Sequence, residues 1–286
     1  MRENPWLERR IVNFAHQGGS FEAPSSTLFA IDRGLGAGAT AIELDVHATK
    51  DRRLVVCHDE TVNRTTNGVG EICDLTLAEL RELDNAYCFI EGSDVAPGRP
   101  TEEYELRGRA PSDHDFGIAT LDEVLERFPG VTLNLDIKRT APQVEPYEGL
   151  LAETLAGHGR SDSVIVASFN DLAIRAFRAA SPETPTSAAT METADFWRAV
   201  HAHEQPAALD VVAFQVPERQ GDLLVVDDLF VEAAHQAGIA VHVWTINDAD
   251  AMERLIELEV DGIISDRPTL LTELLGEQAW DGDLAR

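Results

Sequence analysis

Residues 41–60 read AIELDVHATKDRRLVVCHDE, and the fold turns on how this stretch is parsed. Residues 41–46 form one β-branched run with alternating polarity, and residues 54–58 form a second. The link between them is shorter than the roughly dozen residues that a parallel crossover needs. Residues 49–52 therefore read as a turn, one option being a hairpin arm that brings Asp45 roughly opposite His58. Within 41–46, alternation puts Glu43 and Asp45 on one face of the strand and Ile42, Leu44 and Val46 on the other.

Further runs lie outward from this block, at 11–16, 131–138, 164–168, 211–216, 240–246 and 262–265, with a weaker one at 187–190. Between them come helical patterns at 120–128, 171–180, 227–237 and 248–259, the last opened by an Asn247 or Asp248 cap. Repeated βα units imply a parallel sheet, and a chain of this length with eight or so strands suits a closed α/β (β/α)8 TIM barrel. One barrel domain over 1–286 is expected. Nine strand candidates are one too many for eight staves. Residues 60–118 carry only a short helical pattern at 77–83 and a Gly/Pro/acid-rich stretch at 91–115. They read as a small insertion after the His58 strand that partly covers the mouth of the barrel, the alternative being a solvated loop.

Lys plus Arg is 23 against 51 for Asp plus Glu, a net charge of −28. Such a field repels nucleic acid and anionic membranes, which excludes both as partners. Lys50 and Lys138 are the only lysines, a usage that fits a concentrated-salt cytoplasm and a halophilic source, with an ordinary acidic protein as the alternative. The three cysteines form no C-x-x-C pair, and the charged MRENPWLERR start has no apolar core. No run of about 18 apolar residues occurs. A cytoplasmic protein without stable membrane insertion is expected, its oligomeric state open.

LNLDIK, residues 133–138, repeats the parity of the first strand, setting Asn134, Asp136 and Lys138 on one face. Charges facing a barrel interior are costly unless paired or metal-bound. Glu43, Asp45 and Asp136 thus suggest a site for one divalent cation, Mg²⁺ or Ca²⁺, the alternative being a salt bridge to Lys138. His16 and His58 each end a strand-like run, where barrel enzymes gather their catalytic groups. The two imidazoles suit a general acid and base pair. His16 is followed by Gly18 and Gly19, which allow close backbone approach to a ligand. Trp244 either lines the pocket or packs at a strand end, and Arg64 either buttresses the site or caps a turn. Ser168, Phe169 and Gln215 rest on strand-end position alone, and His47 shares the parity of the carboxylates. His201 and His203, two apart in a helix-like stretch, diverge and argue against a metal pair.

In order and spacing AHQGG, APSSTLFAI, IELDVHATKD, LVVCHDETVNRTTNG, LTLAELREL, TLDEVLERF, LNLDIK, VHVWTIND and DGIISDRP resemble the glycerophosphodiester phosphodiesterase family across residues 11–268. The resemblance implies a (β/α)8 barrel, one divalent cation and hydrolysis of a small-molecule glycerophosphodiester to glycerol phosphate and an alcohol. It implies His16 and His58 as the acid/base pair, Glu43, Asp45 and Asp136 as metal ligands, and Lys138 at the phosphate. Gln17 stands where the family usually has Arg, Ser25-Ser26-Thr27 replaces Glu-Asn-Thr, and Asp136 replaces Glu, as in spider-venom-type phospholipases D. A lysophospholipase D and a barrel that binds a phosphodiester without cleaving it are the alternatives.

Overall fold

The computed structural model describes residues 4–7, 11–93 and 95–283. Its strands are β1 (Val12–His16), β2 (Ala41–Ala48), β3 (Leu54–Val56), β4 (Thr132–Ile137), β5 (Val164–Ala167), β6 (Ala213–Pro217), β7 (Arg219–Gln220), β8 (Leu223–Leu224), β9 (Ala240–Trp244) and β10 (Gly262–Ser265). The helices are α1 (Leu28–Gly36), α2 (Leu77–Leu80), α3 (Leu121–Arg127), α4 (Glu148–Gly157), α5 (Asp171–Ala180), α6 (Thr190–His201), α7 (Asp228–Gln236), α8 (Ala249–Glu257) and α9 (Pro268–Asp283).

Seven strands pair in parallel in the order β5-β4-β2-β1-β10-β9-β6. The sheet closes through a two-residue stave, with parallel bridges from Val166 to Thr186 and from Ser187 to Ala213. Ser187 N donates to Val166 O at 3.1 Å, and Ala188 N donates to Ala213 O at 2.8 Å. The fold is therefore the (β/α)8 barrel. The weak ninth candidate supplies the eighth stave, shifted forward to 186–187, because α6 takes over at Thr190. The surplus strand is β3, which pairs antiparallel with β2 as a hairpin arm. Its register sets Val46 against Val56, so Asp45 lies level with Cys57, whose N–H reaches Asp45 O at 3.0 Å. The expected pairing of Asp45 with His58 is off by one residue.

Strand parity divides the core. Ile42, Leu44, Val46, Leu133, Leu135 and Ile137 face outward and pack against the helix ring. Phe14, Ile165, Ala213 and Ile264 fill the interior with Trp6, which stacks on Phe14 at 6.4 Å. Burial on both faces makes β5 and β10 read as near-continuous apolar runs, whereas β2 and β4 alternate because their inward face carries acids and Asn134. Gly18, at φ +86, has a packing role, because a Cβ there would stand 2.8 Å from the Ala30 backbone. It seats the β1–α1 loop on α1. Residues 60–118 hold α2 and three-residue 3₁₀ turns, and Phe116 stacks on Phe29 of α1 at 4.6 Å. Glu123 joins them to the barrel: it completes the α3 capping box with Thr120 and also accepts from Arg81 at 2.8 Å and bonds His114 at 2.9 Å.

Candidate active site

Parallel register stacks the functional side chains in two layers at the carboxyl end of the sheet. His16 is level with Glu43, and Glu43 with Asn134; one layer up, Asp45 is level with Asp136. His58 enters just past the end of β3, and its ring lies 6.3 Å from that of His16, edge to face. All six of these residues and Lys138 line one end of a cavity of about 790 Å³.

Each histidine is held from behind by a carboxylate. His16 Nδ1 lies 2.6 Å from Asp266 Oδ1, and Asp266 is fixed in turn by Ser20 Oγ and Asn247 Nδ2, both at 2.6 Å. His58 Nδ1 lies 2.7 Å from Asp59 Oδ1, and Arg64 grips Asp59 through Nε at 2.6 Å and Nη2 at 3.0 Å. Arg64 is thus a buttress. A carboxylate at Nδ1 holds that nitrogen's proton and leaves Nε2 as the position that exchanges one. Burial works against the His16 imidazolium, but Asp266, Glu43 and Asp45 outweigh it and raise the group to about 9. Asp59 is half-buried, which opposes its charge, yet the His58 and Arg64 hydrogen bonds pull its carboxyl well below the usual range.

The carboxylates of β2 and β4 surround a single ammonium. Lys138 Nζ lies 2.7 Å from Asp45 Oδ1 and 2.9 Å from Asp136 Oδ2. Burial, reinforced by Asp45, lifts Glu43 to about 8, and burial lifts Asp136 to about 6 against the pull of Lys138. The second oxygens, Asp45 Oδ2 and Asp136 Oδ1, are buried without a hydrogen-bond partner. One ammonium therefore leaves this acid cluster short of positive charge, and its unpartnered oxygens are the hard donors that Mg²⁺ or Ca²⁺ takes. The residues fit a divalent ion, although they are not drawn into a tight cage. Among the described residues, the only acid or thiol group with ligand atoms all within 4.8 Å of one another is Glu71, Cys73 and Asp74, away from this cavity and tied to Arg139.

The remaining candidates separate. Trp244 lines the cavity and meets Phe169 edge to face at 5.4 Å. Ser168 and Gln215 also line it, Ser168 donating to Ile137 O at 2.8 Å. Gln17 does not reach the cavity: it is buried at φ +54, with Nε2 3.1 Å from His16 Nε2. His47 is buried behind His58, which pushes its pKa down to about 4. His201 stacks on Trp197 and bonds Asp227 at 2.9 Å, turned away from any metal role. Among the described residues of 60–118 none lines the cavity, and its opposite wall comes from residues 167–225. Sequence reading missed Asp59, Asp266, Asn247 and Ser20. Asp59 and Asp266 lie in the quoted HDE and SDRP motifs, but nothing in those motifs says which residue stands behind each ring.

The sequence profile of the Glycerophosphoryl diester phosphodiesterase family matches residues 16–270. A glycerophosphodiester phosphodiesterase of Caldanaerobacter subterraneus subsp. tengcongensis is 32% identical over 264 residues, covering 91% of this chain and 96% of that protein. One from Bacillus subtilis is 30% identical over 268 residues, covering 91% and 85%. The structure of an Oleispira antarctica phosphodiesterase in complex with the product sn-glycerol-3-phosphate superposes with a TM-score of 0.69 at 26% identity, covering 91% of this chain and 94% of that one.

Proposed function

The chain belongs to the glycerophosphoryl diester phosphodiesterase family and is a phosphoric diester hydrolase, and from that premise we propose that it hydrolyses glycerophosphodiesters with His16 and His58 as the proton-exchanging pair. The observation that carries the reading is the matched mounting of the two rings, each with a carboxylate behind Nδ1, above the acid layer of β2 and β4.

Asp266 favours the imidazolium of His16, which suits it to give a proton to the departing alcohol oxygen. His58 takes the proton of the attacking hydroxyl, from water or from the substrate's own glycerol. The new P–O bond forms as the P–O bond to the alcohol breaks. Lys138 is the one unbranched point charge at this end of the cavity and faces the phosphoryl oxygens. Gln17 has no charge to offer the phosphate and stands beside His16 Nε2. Glu43, Asp45 and Asp136 would hold a divalent cation, Mg²⁺ or Ca²⁺, and such an ion supplies Lewis-acid stabilisation of the phosphoryl oxygens. The acid surplus and scarcity of lysine support work in concentrated salt, and three unpaired cysteines support a reducing compartment. Among the described residues no helix is long and apolar enough to cross a membrane.

The test is ³¹P NMR of glycerophosphocholine incubated with protein and Mg²⁺ or Ca²⁺, with and without chelator. A phosphomonoester or cyclic phosphate signal that chelation abolishes supports the reading. An unchanged diester signal with both ions contradicts it, and full turnover after exhaustive chelation removes the metal from it.

A further inference from the structure

Below the acid cluster, toward the amino ends of the strands, the cavity ends on side chains that are polar but carry no charge. Asn134 lies two residues before Asp136 on the inward face of β4, about 6.6 Å closer to the floor. Ser187 comes from the short eighth stave, and Gln215 from the inward face of β6. Phe14, Ile165 and Ala213 close the barrel beneath them.

These groups have hydrogen-bonding capacity that the protein does not use. Asn134 is 3% exposed, and its Oδ1 is buried without a hydrogen-bond partner. Ser187 gives its N–H to Val166 and its carbonyl to Arg178, which leaves its hydroxyl to the cavity. Gln215 Nε2 lies 3.4 Å from His242 Nδ1. His242 is fully buried, its ring packed against Phe14 at 4.9 Å and Trp6 at 5.9 Å, and burial keeps it uncharged by pushing its pKa down to about 3. A ring so fixed holds one end of the Gln215 amide and turns the other to the cavity. Buried amides and hydroxyls are costly unless a partner satisfies them. Uncharged and able both to donate and to accept, they match hydroxyl groups rather than a phosphate or a cation.

We propose that Asn134, Ser187 and Gln215 read the two free hydroxyls of the substrate's glycerol unit while its phosphate lies at the acid cluster, His242 acting as the positioning residue behind Gln215. The inference deepens the proposed function and rests on it. The spacing suits it, because one inward position along a strand is the reach of a glycerol unit from its phosphorus. What the floor adds is selectivity: a phosphate ester whose alcohol lacks those hydroxyls leaves its polar groups unsatisfied.

Calorimetric titration of the protein with sn-glycerol 3-phosphate and with n-propyl phosphate, both in the same divalent ion, separates the two hydroxyls from the chemistry. A neutral hydrogen bond contributes about fivefold to affinity, so the glycerol ester should bind about 30-fold tighter than the propyl ester. Asn134→Leu, Ser187→Ala and Gln215→Met, close in size to the parent side chains, should each lower that preference by about fivefold. His242→Phe keeps the ring but gives Gln215 no partner, and should lower it by about threefold. In every variant the Kd for n-propyl phosphate should stay within about twofold of the parent, which shows the fold and the phosphate end intact. Equal affinity for the two phosphates in the parent, no binding of either, or a preference that survives all four substitutions overturns this inference, as does an equal loss on both phosphates in every variant. The ³¹P turnover assay decides the proposed function separately: cleavage of glycerophosphocholine without the binding preference strikes the floor subsite alone, and no cleavage of the diester strikes both.

Discussion

At the scale of single residues, the chemistry rests on what stands behind each functional group. His16 keeps its proton up to about 9 because Asp266 and the β2 carboxylates overcome the cost of burying the imidazolium. A group raised above its ordinary 6.5 is protonated at neutral pH and loses its proton as pH rises through the raised value. An acid must carry its proton, so kcat/KM falls on the alkaline side. Asp266→Asn should move that limb toward neutral pH and lower the rate by about 10- to 100-fold, the usual loss for a supporting carboxylate; a pH–rate profile with an unmoved alkaline limb removes His16 as the acid. Lys138 is the only ammonium beside three buried carboxylates. Lys138→Met should cost about 3 kcal/mol of transition-state stabilisation, and should lower the melting temperature more in chelator than with Mg²⁺. A loss of melting temperature alone, with kcat/KM intact, makes it only an ion-pair partner. The acids and histidines were legible in the sequence because strand parity and strand ends expose them. Asp59 and Asp266 were not, since each acts through a rotamer that only packing sets.

At the scale of elements, the barrel was legible wherever a strand is buried on both faces, as in 131–138 and 262–265. It was only faintly legible where the backbone pairs for two residues, since the weak run at 187–190 shares only Ser187 with the stave at 186–187. The hairpin of β2 and β3 followed from a link too short for a crossover, but its register depended on the turn at 49–52, where Arg52 takes φ +60. Glu123 shows how the irregular segment 60–118 is fastened to α3. Burial opposes its charge, but hydrogen bonds from Thr120 and Arg81 pull its pKa down to about 2 from an ordinary 4.5. A depressed carboxyl contributes stability above its unfolded value and loses it as pH falls through the folded one. Glu123→Gln should therefore cost about 1 kcal/mol at pH 7, near the capping value because its side chain is 27% exposed and partly screened. The difference from the parent should shrink as pH falls from 4.5 toward 2. Urea titrations at pH 7, 5 and 3 measure it, and a constant difference excludes the ionised carboxylate as its source.

At the scale of the whole molecule, a net charge of −28 sets the terms on which the barrel folds. Self-repulsion on this scale destabilises the compact state, and salt shortens its reach from about 10 Å at 0.1 M to about 3 Å at 1 M. The melting temperature should rise between about 0.1 M and about 2 M KCl; a flat or falling value contradicts a surface suited to concentrated salt. The same charge was plain in the composition, whereas the cavity was not. Its far wall is assembled from the β5 and β6 ends, α6 and the β7–β8 hairpin, which share no motif and meet only when the barrel closes.

The central claim is that His16 and His58 act as one unit on a phosphodiester. The direct measurement is the rate of glycerophosphocholine hydrolysis by the parent, His16→Ala, His58→Ala and the double variant. Each single change should lower kcat by about 10²- to 10⁴-fold with the fold intact. The double variant should fall little below the slower single one, as residues acting together do. A single variant near the parent rate, or a double variant whose loss equals the product of the two, contradicts the account.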